Sequence, residues 1–93
     1  MKQPLQVVLV EYDLPPQAEV EPMARRIDRC LELRGARWMR SYMTPDGRRA
    51  LCEFEAPDAE SVREAFRMAG QHYDRAWVAQ LYWREDQGDP KVA

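Results

Sequence analysis

The sequence predicts a two-layer α+β fold, with four antiparallel strands in one sheet and two helices on one face of it. Three observations carry this expectation. Four segments are rich in β-branched, apolar or aromatic residues. Two others repeat apolar residues at helical spacing, and the six segments follow in the order β-α-β-β-α-β. The middle two strands are joined by only a tight turn, Thr44-Pro45-Asp46-Gly47, a connection that antiparallel neighbours alone can use.

The first strand runs from Leu5 to Tyr12, where Val7, Val8, Leu9 and Val10 form an unbroken apolar run. Such a run suits a strand covered on both faces, hence one central in its sheet. Asp13-Leu14-Pro15-Pro16 stops it, because proline removes backbone donors and presets φ. In the first helix, Pro22 is expected in the opening turn, with Glu19 and Glu21 near the positive end of the dipole. Val20, Met23, Ala24, Ile27, Cys30 and Leu31 make its apolar stripe, and Gly35 its C-terminal cap.

Strands two and three, Arg37 to Met43 and Arg48 to Glu55, form a hairpin. A three-residue loop with a left-handed Gly47 would pair Tyr42 with Ala50, Arg40 with Cys52 and Trp38 with Phe54. Arg40, Tyr42 and Cys52 then share one face. Asp58 caps the second helix, whose stripe is Ala59, Val62, Ala65, Phe66 and Ala69, and Gly70 ends it. The last strand spans Tyr73 to Trp83. This is the split βαβ, or ferredoxin-like, arrangement as one domain over residues 1–84, followed by a polar tail, 85–93. Trp38, Trp77, Tyr82 and Trp83 are expected as core and interface anchors, with the open sheet face meeting a second copy in a homodimer.

Charge narrows the partners. Net charge is −2, and twelve of the fourteen basic residues are arginines interleaved with acids. That balance argues against nucleic acid or an anionic membrane as the main partner. Glu53 and Glu55 would repel phosphate from the strand that RNA-binding relatives of this fold use. No apolar run approaches the roughly 18 residues of a membrane helix, and no signal-peptide pattern precedes the first strand. A cytoplasmic location is expected, with Cys30 and Cys52 as free thiols.

Candidate chemistry centres on Glu11, Arg40, Tyr42 and Cys52 as a ligand-binding set: guanidinium for an anion, phenol as donor, thiol as ligand or nucleophile. The competing reading packs Tyr42 and Cys52 at a core or dimer surface and pairs Arg40 with Glu11. His72, the sole histidine, stands in the loop after the second helix.

The runs Arg37-Trp38-Met39-Arg40-Ser41-Tyr42, Cys52-Glu53-Phe54-Glu55-Ala56-Pro57 and Val62-Arg63-Glu64 resemble a bacterial family of small ferredoxin-like proteins. Some members of that family are described as nickel-binding. Val10-Glu11-Tyr12-Asp13-Leu14-Pro15 is similar to its first strand and loop. The resemblance implies a homodimer and a divalent metal such as nickel, which would fall to His72, Glu11 and Cys52. The chain departs from the family pattern in carrying Arg40 and Ala65 where many relatives carry histidine.

The leading functional expectation is a non-enzymatic, dimeric protein that binds a small ligand or a divalent metal. One alternative is a cofactor-independent monooxygenase- or isomerase-like enzyme with a pocket between sheet and helices. Another is a structural or regulatory partner protein. Catalytic residues are not assigned.

Overall fold

A computed structural model describes residues 4–82 and 84. Its elements are β1 (Gln6–Asp13), α1 (Gln17–Glu32), β2 (Arg37–Met43), β3 (Arg49–Ala56), α2 (Ala59–Met68) and β4 (Arg75–Ala79). The sheet order is β2-β3-β1-β4, all neighbours antiparallel, with β1 and β3 central. The ferredoxin-like α+β order is therefore the observed one. β4 is shorter than the sequence suggests, and both Trp83 and the 85–93 tail lie outside the described residues.

Strand alternation sorts the sheet into two faces. Val8, Val10 and Tyr12 of β1 point under the helices, as do Ala50, Cys52, Phe54 and Ala56 of β3, and all are buried. Met23, Ile27 and Leu31 of α1 meet them, with Val62, Ala65 and Phe66 of α2. Phe66 is the hub: its ring stands edge-on to Tyr12, Phe54 and Tyr73 at centroid distances of 5.2, 5.8 and 5.9 Å. The other face carries Val7, Leu9, Leu51 and Trp77, each only half-buried. β1 is central as expected, but one of its faces is left open in the single chain.

Helix ends follow the sequence closely. Gly35 (φ 69°) and Gly70 (φ 73°) both stand in the left-handed region. Ala36 N–H reaches back to the Leu31 carbonyl (3.0 Å) and Gln71 N–H to that of Phe66 (2.9 Å), the six-to-one bond of a Schellman cap. Asp58 accepts the Ser61 backbone N–H at 2.7 Å as N-cap of α2. These bonds, first from the Ser61 side chain and then from its N–H, hold the Asp58 carboxyl below its usual pKa. Asp58→Ala should cost about 1 kcal/mol in a denaturant titration at pH 7. A depressed folded-state pKa means the cap acts fully above the usual carboxylate range and fades as pH falls through the depressed value. The difference between the two proteins should therefore shrink in acid.

Helix α1 corrects one expectation. It begins at Gln17, not near Pro22, because Pro15-Pro16 ends the loop and the Pro16 carbonyl accepts the Glu19 N–H at 2.8 Å. Pro22 lies beyond the first turn. Proline has no N–H to offer the Ala18 carbonyl, which lies on an exposed stretch where water can serve it.

The hairpin corrects a second, with larger consequences. Gly47 does adopt φ 71°, and its N–H bonds the Thr44 carbonyl at 2.8 Å. But the Arg49 N–H goes to the Thr44 hydroxyl (3.1 Å), and Thr44 N–H to the Arg49 carbonyl (3.0 Å). Asp46 fastens the loop by accepting from Thr44 Oγ1 and Arg48 N. The loop is thus one residue longer than expected, and every pair beside it slips by one. Met43 faces Ala50, Tyr42 faces Leu51, Ser41 faces Cys52 and Arg40 faces Glu53. A bulge at Met39 then takes the slip back, restoring the expected pairing of Trp38 with Phe54.

Candidate functional site

One-residue slippage exchanges the two faces of a strand. Arg40 and Tyr42 consequently leave the Cys52 face and lie on the open one, while Ser41 takes the place beside the thiol. The expected Arg40–Tyr42–Cys52 grouping is not formed. Arg40 pairs with Glu53 (3.5 Å), not with Glu11, whose carboxylate instead meets Arg75 (3.6 Å) and Arg49 (3.9 Å). Glu11 belongs to the open face, and Tyr42 is 58% exposed there. His72 is exposed in the α2–β4 loop with its Nε2 3.2 Å from Asp74. The implied metal set of Glu11, Cys52 and His72 is therefore spread over two faces and a loop.

What gathers around Cys52 is a different site. A cleft of about 310 Å³ opens between the first half of α1 and the β2 edge of the sheet. On the α1 side it is lined by the small side chains Val20 and Ala24, which leave its space unfilled. Ile27, Met23, Phe54 and Met43 complete walls that are almost wholly apolar. Asp28 stands at the mouth. Partial burial first, and then the Glu32 carboxylate one turn on, raise its pKa.

A single polar chain crosses the floor. The Trp38 indole N–H donates to Ser41 Oγ at 2.9 Å. Ser41 Oγ lies 2.7 Å from Cys52 Sγ, and Cys52 Sγ lies 3.2 Å from Tyr12 Oη. Trp38 is half-exposed at the rim, whereas Cys52 and Tyr12 are buried. Burial pushes the Cys52 thiol up, outweighing the opposing hydrogen bonds from Ser41 and Tyr12. Burial likewise raises the Tyr12 phenol far above its ordinary range, reinforced by Cys52. Both groups keep their protons at neutral pH, and a protonated thiol is a poor nucleophile and a poor metal ligand.

This has a direct chemical consequence. Cys30, half-buried on α1, should take one iodoacetamide per native chain at pH 8, while Cys52 reacts only after unfolding in urea. Intact-mass measurement before and after denaturation checks it; two rapid adducts on the native protein would contradict the environment described for Cys52.

Tyr12 and Ser41 are the residues that sequence reasoning missed. Strict alternation along Val8, Val10 and Tyr12 carries a signal for the first. The Thr44 hydroxyl, able to replace a backbone acceptor in the turn, carries one for the second.

Donor chemistry decides the fit of nickel. Nickel in proteins favours imidazole, thiolate and carboxylate gathered in one shell. Among the described residues no group of three or more His, Cys, Asp or Glu side chains could hold a metal ion. The described residues of one chain therefore do not fit the ion. Among the described residues no helix is long and apolar enough to cross a membrane. No curated protein and no solved structure matches the chain. Residues 9–78 match the family model described as Nickel responsive protein SCO4226-like, and this small ferredoxin-like chain belongs to that family.

Proposed function

We propose that this protein is a non-enzymatic binding module of the cytoplasm that works as a homodimer and holds a small, mostly apolar organic molecule in the cleft between α1 and β2. The observation that carries the reading is the cleft itself: apolar walls with one convergent polar chain, Trp38–Ser41–Cys52–Tyr12, on the floor. That is the ordinary anatomy of a small-molecule site, and a volume of about 310 Å³ lies at the small end of such sites. A binding role is favoured over nucleophilic catalysis because burial holds the Cys52 thiol protonated.

The homodimer reading rests on the open face. Its centre is apolar, with Leu9, Leu51 and Trp77 only half-buried in a single chain. Around it stand the pairs Arg37–Glu55 (2.7 Å), Arg40–Glu53 (3.5 Å) and Arg75–Glu11 (3.6 Å). A patch carrying both signs is suited to a two-fold partner, since each copy offers what the other needs. In this reading Arg40, Tyr42 and Glu11 serve the interface. Among the described residues, a nickel shell would need ligands contributed by two copies.

The test is a titration with acetophenone followed by nitrogen–proton NMR at the Trp38 indole, assigned by Trp38→Phe. Saturable shifts are expected, with a Kd on the order of 0.1–1 mM for so small a probe. Ala24→Phe, on an exposed helix position that lines the cleft, should abolish them while leaving the fold intact. Arg40→Ala should leave them unchanged. No shift in the wild-type protein, or equal shifts in Ala24→Phe, would overturn the cleft reading.

A further inference from the structure

The hydrogens on the cleft floor can be counted. Three hydrogen bonds link Trp38, Ser41, Cys52 and Tyr12, and in the first the indole can only donate. The other two consume two of the three hydrogens carried by the Ser41 hydroxyl, the Cys52 thiol and the Tyr12 phenol. One hydrogen is left over, whichever way the chain runs. If Ser41 donates to Cys52 and Cys52 to Tyr12, the phenol hydrogen is free. If the chain runs the other way, the Ser41 hydrogen is free. If both donate to sulfur, the thiol hydrogen is free. None of these side chains makes a further hydrogen bond among the described residues. Both acidic members keep their protons at neutral pH, so the surplus does not disappear by ionisation.

All three candidate donors line the cleft, and the walls around them offer almost no polar surface. A donor left unmatched in such a place is costly, and a ligand that supplies an acceptor removes that cost. Resting on the cleft reading above, we infer that the site selects a small apolar molecule bearing a neutral hydrogen-bond acceptor, of which a ketone carbonyl is the simplest case. The acceptor points to the floor and the apolar body lies against Val20, Ala24 and Met43. Selection comes from the surplus donor, so an isostere without the acceptor is rejected although it fits the same space.

Two probes of nearly equal shape separate these ideas: acetophenone, and 2-phenylpropene, in which a methylene group replaces the carbonyl oxygen. Each is titrated into the full chain and followed at the Trp38 indole cross-peak, the Ala24→Phe protein serving as the blocked control. Acetophenone should bind about tenfold more tightly or better, the value of one buried donor satisfied. Its carbonyl infrared band should also fall to lower frequency than in hydrocarbon solvent. Equal binding of the two probes, both blocked by Ala24→Phe, would overturn the acceptor inference and leave the cleft reading standing. Binding of neither probe would overturn both.

Discussion

Phe66→Ala is expected to destabilise the protein by about 3–5 kcal/mol, the range for truncating a fully buried phenylalanine. Phe66 joins the helix layer to the sheet: it is 0% exposed and stands edge-on to Tyr12, Phe54 and Tyr73. Its loss would leave a cavity between α2 and the central strands that a short helix cannot collapse to fill. In a domain of this size each kcal/mol lowers Tm by about 4–8 °C, so a fall of about 12–40 °C is expected in a thermal scan. Phe66→Leu, which keeps most of the volume, should lose far less. The cleft should feel the change too, because Tyr12 packs on Phe66 and its hydroxyl ends the floor chain. A loss under 1 kcal/mol for Phe66→Ala would mean that the two layers are not held by a shared core.

The second large effect is on assembly. Leu51→Arg places a charge in the centre of the open sheet face, between Glu11 of β1 and Tyr42 of β2. Leu51 is only half-buried in the single chain, so the arginine can reach water and the fold survives. In a dimer closed over that face it could not, and taking the guanidinium out of water costs several kcal/mol even beside Glu11, which already meets Arg49 and Arg75. The expected result is a monomer by light scattering with an unchanged far-ultraviolet circular dichroism spectrum. A Leu51→Arg protein that remains dimeric would show that the copies meet elsewhere.

Much of this was legible in the sequence, for reasons that are local. Glycine at positions 35, 47 and 70 and aspartate at 58 each act within a few residues, and each does in the structure what its chemistry suggests. The element order followed from the same signals. The candidate site was less legible because it depends on register, which two small choices decide. A threonine hydroxyl took a bond that a backbone carbonyl would have taken in a shorter loop, and a bulge at Met39 then reset the count. Between those points Ser41 replaced Arg40 and Tyr42 on the thiol's face. Tyr12 could not be joined to Cys52 from the sequence, because β1 and β3 are not connected by a turn and their register is set only by packing. Trp38 was expected as a core or interface anchor, and it stands half-exposed at the rim with its indole N–H committed to Ser41.

Native mass spectrometry of the untagged protein, before and after one equivalent of nickel and a buffer exchange, tests the central reading most directly. A tag would bring its own histidines and must be absent. The expected result is a dimer that returns to its metal-free mass after exchange, and that takes up acetophenone at up to one molecule per chain in the same spray. A dimer that retains stoichiometric nickel, with no uptake of acetophenone, would contradict it and move the binding function from the cleft to ligands shared between two copies.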